Sequence, residues 1–402
     1  MFAKSRAVLS SGFQALSERP SSQLPALDAL RSFAILLVVF GHWAGVEYSK
    51  AGGIATPLQD FPVFYYGWIG VDLFFVLSGF LIGRQLWREL QRTGSIRVGR
   101  FILRRGLRIW PIYFVMLLYY ALFNPAIQPR FIDWAFLSNY FPSQFSRGWS
   151  LSTEEQFYIA IPILLLLLKD RVPLKRFIGV LLGIEAAVLL NRYRVLRSFL
   201  AAGGSYNTSD FVLIYPFHVH LEGLLAGLLI ALLSVVVPSA LTPPATESGV
   251  SWKGLAVLAS TFAIGFALRR VSHEAFAFLA LGLIFGGLTY FALVDRSALT
   301  RWLGWRFWHP ISRLSYSMYL NHFWFWPASN HWIVSEVSHF TTSPNVLLLV
   351  TMALGTIASF LFAGVMFITI EHPFLLWRDR ILTTRSEPDH ARVSSPSLGS
   401  AV

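Results

Sequence analysis

Between Val346 and Ile370 the sequence carries no charged residue. About 20 apolar residues cross a bilayer as one α-helix, and a hydrocarbon interior accepts only structures that satisfy their own backbone hydrogen bonds. Similar runs recur along the chain. Charged residues make up only 13% of its 402 positions, against about 25% in an average soluble domain. That proportion cannot wet the surface of one or two soluble domains. A soluble enzyme, a disordered protein and a nucleic-acid-binding domain are therefore excluded as primary readings. The expected fold class is an all-α integral membrane protein.

The apolar runs predict about ten transmembrane helices, near 32–48, 67–83, 107–123, 152–168, 177–190, 213–237, 252–268, 275–294, 312–333 and 345–370. Ten crossings place both termini on one side. Cytoplasmic loops of membrane proteins are enriched in Lys and Arg. Segments on the side of the N-terminus hold 25 of the 33 such residues, and the opposite segments hold eight. Both termini and the Arg84–Arg108 loop are thus expected in the cytoplasm. Arg192, Arg194 and Arg197 run against this pattern, because the count assigns them outside. Residues 1–26 make a poor signal peptide and read as a basic cytoplasmic tail. Residues 27–376 read as the transmembrane domain. Residues 377–402, rich in Ser and Pro, read as a disordered cytoplasmic tail. No internal repeat relates the two halves, which counts against a transporter built from repeats.

The chain has no cysteine. Disulfides, thiolate catalysis and Cys-based metal sites are excluded. The net charge of +12 fits basic cytoplasmic loops, and it also fits a basic pocket for a phosphorylated substrate.

Ionisable groups inside a span are costly, so each is a candidate for function. Arg31 and His42 are three helical turns apart in the first span, on one face and about 16 Å apart along the axis. The bland account is a helix-end anchor and a hydrogen-bonded buried histidine. Asp72 lies near the outer end of the second span, at the depth of His42. A carboxylate there would fix the tautomer of a histidine base; the alternative is a cap on the span. Arg104 and Arg108 are i,i+4 neighbours that read either as topology signals or as a phosphate clamp with Arg105. The other arginines of that loop read as topological.

Ser152 with Glu155 matches a capping box, which leaves Glu154 as the acid free to face a site. His218 and Glu222 are i,i+4 with His220 between them. No third ligand is evident and no metal is expected. Ser315, Tyr319 and His322 form one helical stripe, suited to the bundle interior or to hydrogen bonding between helices. Glu371-His372-Pro373 ends the tenth span.

Several of these segments, taken in order, resemble one family, the membrane-bound acyltransferase-3 family of bacterial cell-surface O-acyltransferases. They are Leu27-Asp28-Ala29-Leu30-Arg31 through His42, Phe74-Phe75-Val76-Leu77-Ser78-Gly79-Phe80, and Arg104-Arg105 to Pro111. Trp149-Ser150-Leu151-Ser152 through Tyr158, Ser315-Tyr316-Ser317 with Tyr319-Leu320 and His322, and Glu371-His372-Pro373-Phe374 complete the set. Ala29 and Thr153 are mild departures, and Tyr215 to Glu222 fits the family pattern poorly. Some relatives append a soluble esterase-like domain, which a chain of this length is expected to lack.

The resemblance implies transfer of an acyl group, often acetyl, from acyl-CoA to a carbohydrate or lipid-linked glycan in a bacterial inner membrane. His42 is the implied base, and the arginine motif is implied to hold the donor. On this reading Asp72 and Glu154 join His42 as catalytic residues. Arg31, Arg104, Arg105 and Arg108 bind acyl-CoA, while Trp149, Tyr319 and His322 bind the acceptor. Membrane lipid is a further partner, and nucleic acid is not one. His42 would take the hydroxyl proton as it attacks the thioester; an acyl-histidine intermediate is a second route. The rival reading is a polytopic transporter or flippase for a glycan or lipid-linked substrate.

Overall fold

The computed structural model describes residues 2–19, 24–50, 52–123, 128–142, 148–204, 210–242, 249–271, 275–322 and 326–384. Among these residues the regular structure is helical throughout. The principal helices are α1 (Phe2–Ser17), α2 (Pro25–His42), α3 (Gly70–Thr93), α4 (Val98–Phe123), α5 (Trp149–Leu168), α6 (Phe177–Ala201), α7 (Glu222–Val236), α8 (Trp252–Val271), α9 (Ala277–Val294), α10 (Trp308–Asn321), α11 (Trp326–Ser338), α12 (Pro344–Met366) and α13 (His372–Thr384). Local chemistry sets several boundaries. Pro25 and Pro344 open α2 and α12 at the position where a missing N–H is harmless. Gly94 closes α3 with a left-handed φ of 67°.

Among the described residues six helical stretches are long and apolar enough to cross a membrane: Pro25–Gly45, Gly67–Thr93, Val98–Phe123, Trp149–Leu168, Ala277–Val294 and Pro344–Leu382. The protein is an integral membrane protein. The other four predicted spans also fall on helices, with different dimensions. The segment at 177–190 belongs to the longer α6, and 213–237 contains only the 15-residue α7. The segment at 252–268 lies in α8, and 312–333 is divided between α10 and α11. The tail expected to begin at 377 continues as helix α13 to Thr384, and its remainder lies outside the described residues.

The densest packing joins α3 to α7. Glycine makes it possible. A Cβ on Gly79 would lie 2.1 Å from the Leu224 carbonyl oxygen, and one on Gly227 would lie 2.0 Å from that of Val76. Gly223 and Gly227 form a small-xxx-small pair, the pattern that lets two helix backbones touch in a membrane. Helix α2 packs between α3 and α10. These contacts bring the polar faces of α2, α3, α5 and α10 around one interior space.

Candidate functional site

Two cavities occupy that space. The first, of about 100 Å³, is lined by Arg31, Arg105 and Arg108 together with Ser78, Glu154 and Tyr158. The second, of about 630 Å³, is lined by His42, Asp72, Trp149, Tyr215, His220 and Phe278 among others. Val71 and Tyr319 line both. The cavities therefore share a wall at Tyr319, whose hydroxyl hydrogen-bonds Ser150 Oγ; below, this boundary is called the neck.

Helix α2 supplies one group to each cavity, Arg31 to the first and His42 to the second. Immediately after His42 the helix widens into a π turn over Trp43–Glu47, a local irregularity frequent at functional sites. His42 Nδ1 lies 3.2 Å from His322 Nε2. The tautomers follow from the partners. His322 Nδ1 is 2.6 Å from the Tyr319 carbonyl, which can only accept, so this nitrogen carries the proton. In a neutral His322, Nε2 is then the acceptor. His42 Nδ1 donates to it, and the lone pair of His42 resides on Nε2.

The expected partner of His42 is thus corrected. Asp72 does not fix His42; its Oδ1 lies 2.9 Å from His220 Nε2. The close α3–α7 packing carries His220 to Asp72, whereas α10 carries His322 to His42. His220 also faces the Ile214 carbonyl through Nδ1 at 2.9 Å. Its ring packs against Phe278, Trp149 and Phe75, with centroids 3.9, 5.6 and 5.4 Å away.

The arginines divide differently from the sequence spacing. Arg105 and Arg108 join Arg31, while Arg104 lines a separate cavity of about 500 Å³ with Arg88, Arg92, Arg97 and Arg100. Arg105 Nη2 donates to Gln85 Oε1 at 3.3 Å. The acids on α5 also separate. Glu154 accepts from Ser78 Oγ beside the first cavity. Glu155 points elsewhere and accepts from Trp110 Nε1 at 3.0 Å. The Ser152–Glu155 capping box does not form, because α5 starts at Trp149 and Ser152 Oγ bonds Ser138 Oγ at 2.9 Å.

Trp149 and Tyr319 line the histidine cavity, and Trp149 stacks on Tyr215 at 5.0 Å. His218 and Glu222 do not form a metal pair. His218 Nδ1 meets Tyr140 Oη at 3.1 Å, and Glu222 is engaged by Arg192. Among the described residues no cluster of three metal-ligating side chains occurs. Arg192, assigned to an outer loop by count, is instead a fully buried member of α6, its guanidinium 4.6 Å from the Phe278 ring centre. The sequence named His220, Arg192 and Glu222 without assigning them partners or a site; the Gly223–Gly227 pair is the signal that α7 packs closely.

Fold and site together define a helical membrane protein in which an arginine-lined cavity adjoins a histidine-lined one. A family model described as an acyltransferase domain matches residues 24–364. The chain belongs to this acyltransferase family, the one its motifs resemble. It is 30% identical over 193 residues to the peptidoglycan O-acetyltransferase OatA of Listeria monocytogenes, covering 41% of this chain and 28% of that protein. It is 26% identical over 332 residues to a Staphylococcus aureus protein named "Putative O-acetyltransferase SACOL0978", covering 75% of this chain and 50% of that one. The chain spans half or less of the length of these relatives. No solved structure matches it. The transporter reading gains nothing from these relatives.

Proposed function

We propose that the protein transfers an acyl group, acetyl by expectation, from acyl-CoA to a hydroxyl of a carbohydrate or lipid-linked glycan. The observation that carries this reading is the boundary at Tyr319, where an arginine-lined cavity adjoins one lined by His42 and His220. Guanidinium groups suit an anionic donor. The aromatic wall of the second cavity suits a sugar ring, and the relatives' names supply the precedent for a glycan acceptor. The proposed sidedness puts both termini and the Arg84–Arg108 loop in the cytoplasm of a bacterial inner membrane, with about ten spans. The bacterial relatives and the Lys/Arg distribution support it. Cysteines placed singly at Gln91 and Asp60 test it: labelling of both from the same side of the membrane removes the scheme.

The mechanism begins with the lone pair on His42 Nε2. It takes the acceptor hydroxyl proton as the oxygen attacks the thioester carbonyl. Tyr319, at the neck, is the donor positioned for the developing oxyanion. Collapse of the tetrahedral species breaks the C–S bond, and the His42 imidazolium returns its proton to the CoA thiolate. Arg31, Arg105 and Arg108 hold the donor, Glu154 orders that cavity through Ser78, and Trp149 covers the acceptor.

Purified protein in lipid nanodiscs with labelled acetyl-CoA and envelope glycan tests the reading. Label should reach the glycan, and His42→Ala should abolish transfer at unchanged abundance, a loss of about 10²–10⁴-fold. Near-normal turnover in that variant removes His42 as base. Absence of label in the glycan with the wild-type protein removes the acyltransferase reading.

A further inference from the structure

The cavity beside Arg104 has a composition that topology does not require. Arg88 and Arg92 are one turn apart on α3, and Arg100 and Arg104 are one turn apart on α4, with Arg97 at the connection. All five line a single space of about 500 Å³. Positive-inside topology needs arginines near the membrane; it does not need them facing one another. Like charges at this spacing repel. Glu89 is the one carboxylate among the lining residues, and its Oε1 accepts from the Arg97 backbone N–H at 3.1 Å. Arg100 Nη2 donates to the Leu382 carbonyl at 3.2 Å, while its Nε is buried without a protein partner.

This space adjoins the arginine cavity of the candidate site. Gln85 lines it and accepts from Arg105, and Phe101 lines it beneath the Arg105 guanidinium, 5.7 Å from the ring centre. Arg105 itself lines the first cavity. One layer of side chains therefore separates the five arginines from the first cavity. Guanidinium forks bind phosphate oxygens in pairs, and the space falls within the usual range for a ligand site.

We propose that this cavity is a polyphosphate site that seats the 3′-phosphate and pyrophosphate of the CoA nucleotide, so that the pantetheine arm passes Arg105 toward the neck. The inference rests on the acyl-CoA reading above and deepens it. The four arginines that the sequence assigns to topology become ligand-binding residues. Anionic lipid headgroups share the same chemistry, and the experiment separates the two sources.

The full chain is placed in phosphatidylcholine nanodiscs and titrated with CoA, dephospho-CoA, adenosine 3′,5′-bisphosphate and pantetheine. Adenosine 3′,5′-bisphosphate should bind, and dephospho-CoA should bind more weakly than CoA. The double variant Arg92→Gln/Arg97→Gln alters two exposed side chains and should weaken CoA binding by at least about 10- to 150-fold, the effect of losing even one of the two charge-assisted contacts. Pantetheine affinity should not change. Equal CoA affinity in wild type and variant overturns the proposal. So does a variant that loses only its association with phosphatidylglycerol while keeping CoA affinity, which makes the cavity a lipid site. The two readings fail separately. Nucleotide binding through these arginines without acyl transfer removes the enzyme reading alone. Acetyl transfer with nucleotide affinity indifferent to the arginines removes this inference alone.

Discussion

Asp72 and His220 lie 148 residues apart in the chain and 2.9 Å apart in the fold. Both are almost fully buried. His220 Nδ1 faces a carbonyl that can only accept, so that nitrogen is protonated. The bond to Asp72 then contains one further proton, held by either partner. The pair is a unit on the wall of the histidine cavity, and removal of one half strands the other.

That unity gives a non-additive prediction. Asp72→Asn and His220→Gln should each lower kcat/KM for transfer, by about 5- to 150-fold for a buried group left unsatisfied at about 1–3 kcal/mol. The double variant should fall no further than the worse single variant. Losses that multiply in the double variant would mean that the two residues act independently.

Composition in the sequence pointed to the six described helices long and apolar enough to cross a membrane, along with four further predicted spans. Polar residues at helical spacing in apolar runs singled out Arg31, His42, Tyr319 and His322. The sequence could not reveal partners. Depth along a helix is a one-dimensional quantity, and Asp72 and His42 do share a cavity. Which helix faces which is decided by small residues at contacts far along the chain, as Gly79 meets Leu224 and Gly227 meets Val76. Spacing also did not show that the arginines divide between two cavities. Arg104 and Arg108 share an approximate face, but Arg105 and Arg108 line the cavity that holds Arg31 and Arg104 lines the neighbouring one.

Glu154 and Glu155 should respond differently to neutralisation. Glu154 lies beside the donor arginines, whereas Glu155 anchors Trp110 on α4. Glu154→Gln should lower transfer about tenfold or more at normal abundance, since it keeps the shape and loses the charge that orders Ser78. Glu155→Leu should leave turnover per folded molecule near normal and reduce thermal stability by about 1–3 kcal/mol, the cost of leaving the partly buried Trp110 N–H without its acceptor. Activity and melting temperature of both variants check this, and equal activity losses would remove the distinction.

Arg192 and Glu222 form a buried ion pair that also binds the Val219 carbonyl. Neither residue lines the two central cavities, so the expected role is to hold α6 against α7. Arg192→Met should destabilise the fold by about 3–5 kcal/mol by leaving Glu222 charged and unpaired. Arg192→Met/Glu222→Leu should recover most of that loss, because neither member of the pair is left without its counter-charge. Thermal unfolding in detergent measures both. A double variant as unstable as the single one would show that the pair has a role beyond mutual neutralisation.

The final prediction concerns the histidine pair. The tautomer argument makes His322 useful as an acceptor: its Nε2 takes the proton of His42 Nδ1 and so keeps the lone pair on Nε2. A glutamine at 322 can present its amide oxygen in the same role, and an alanine cannot. His322→Gln should therefore retain more transfer than His322→Ala, and both should exceed His42→Ala, which removes the base itself. Donor affinity should be unchanged in either His322 variant, because the arginine cavity lies beyond the neck. The two variants should differ by about tenfold, the effect of roughly 1.4 kcal/mol in orienting one imidazole. Measurement of kcat and of CoA affinity in the three variants decides the matter. If glutamine and alanine at 322 give equal rates, His322 does not set the tautomer, and it contributes only packing against α2.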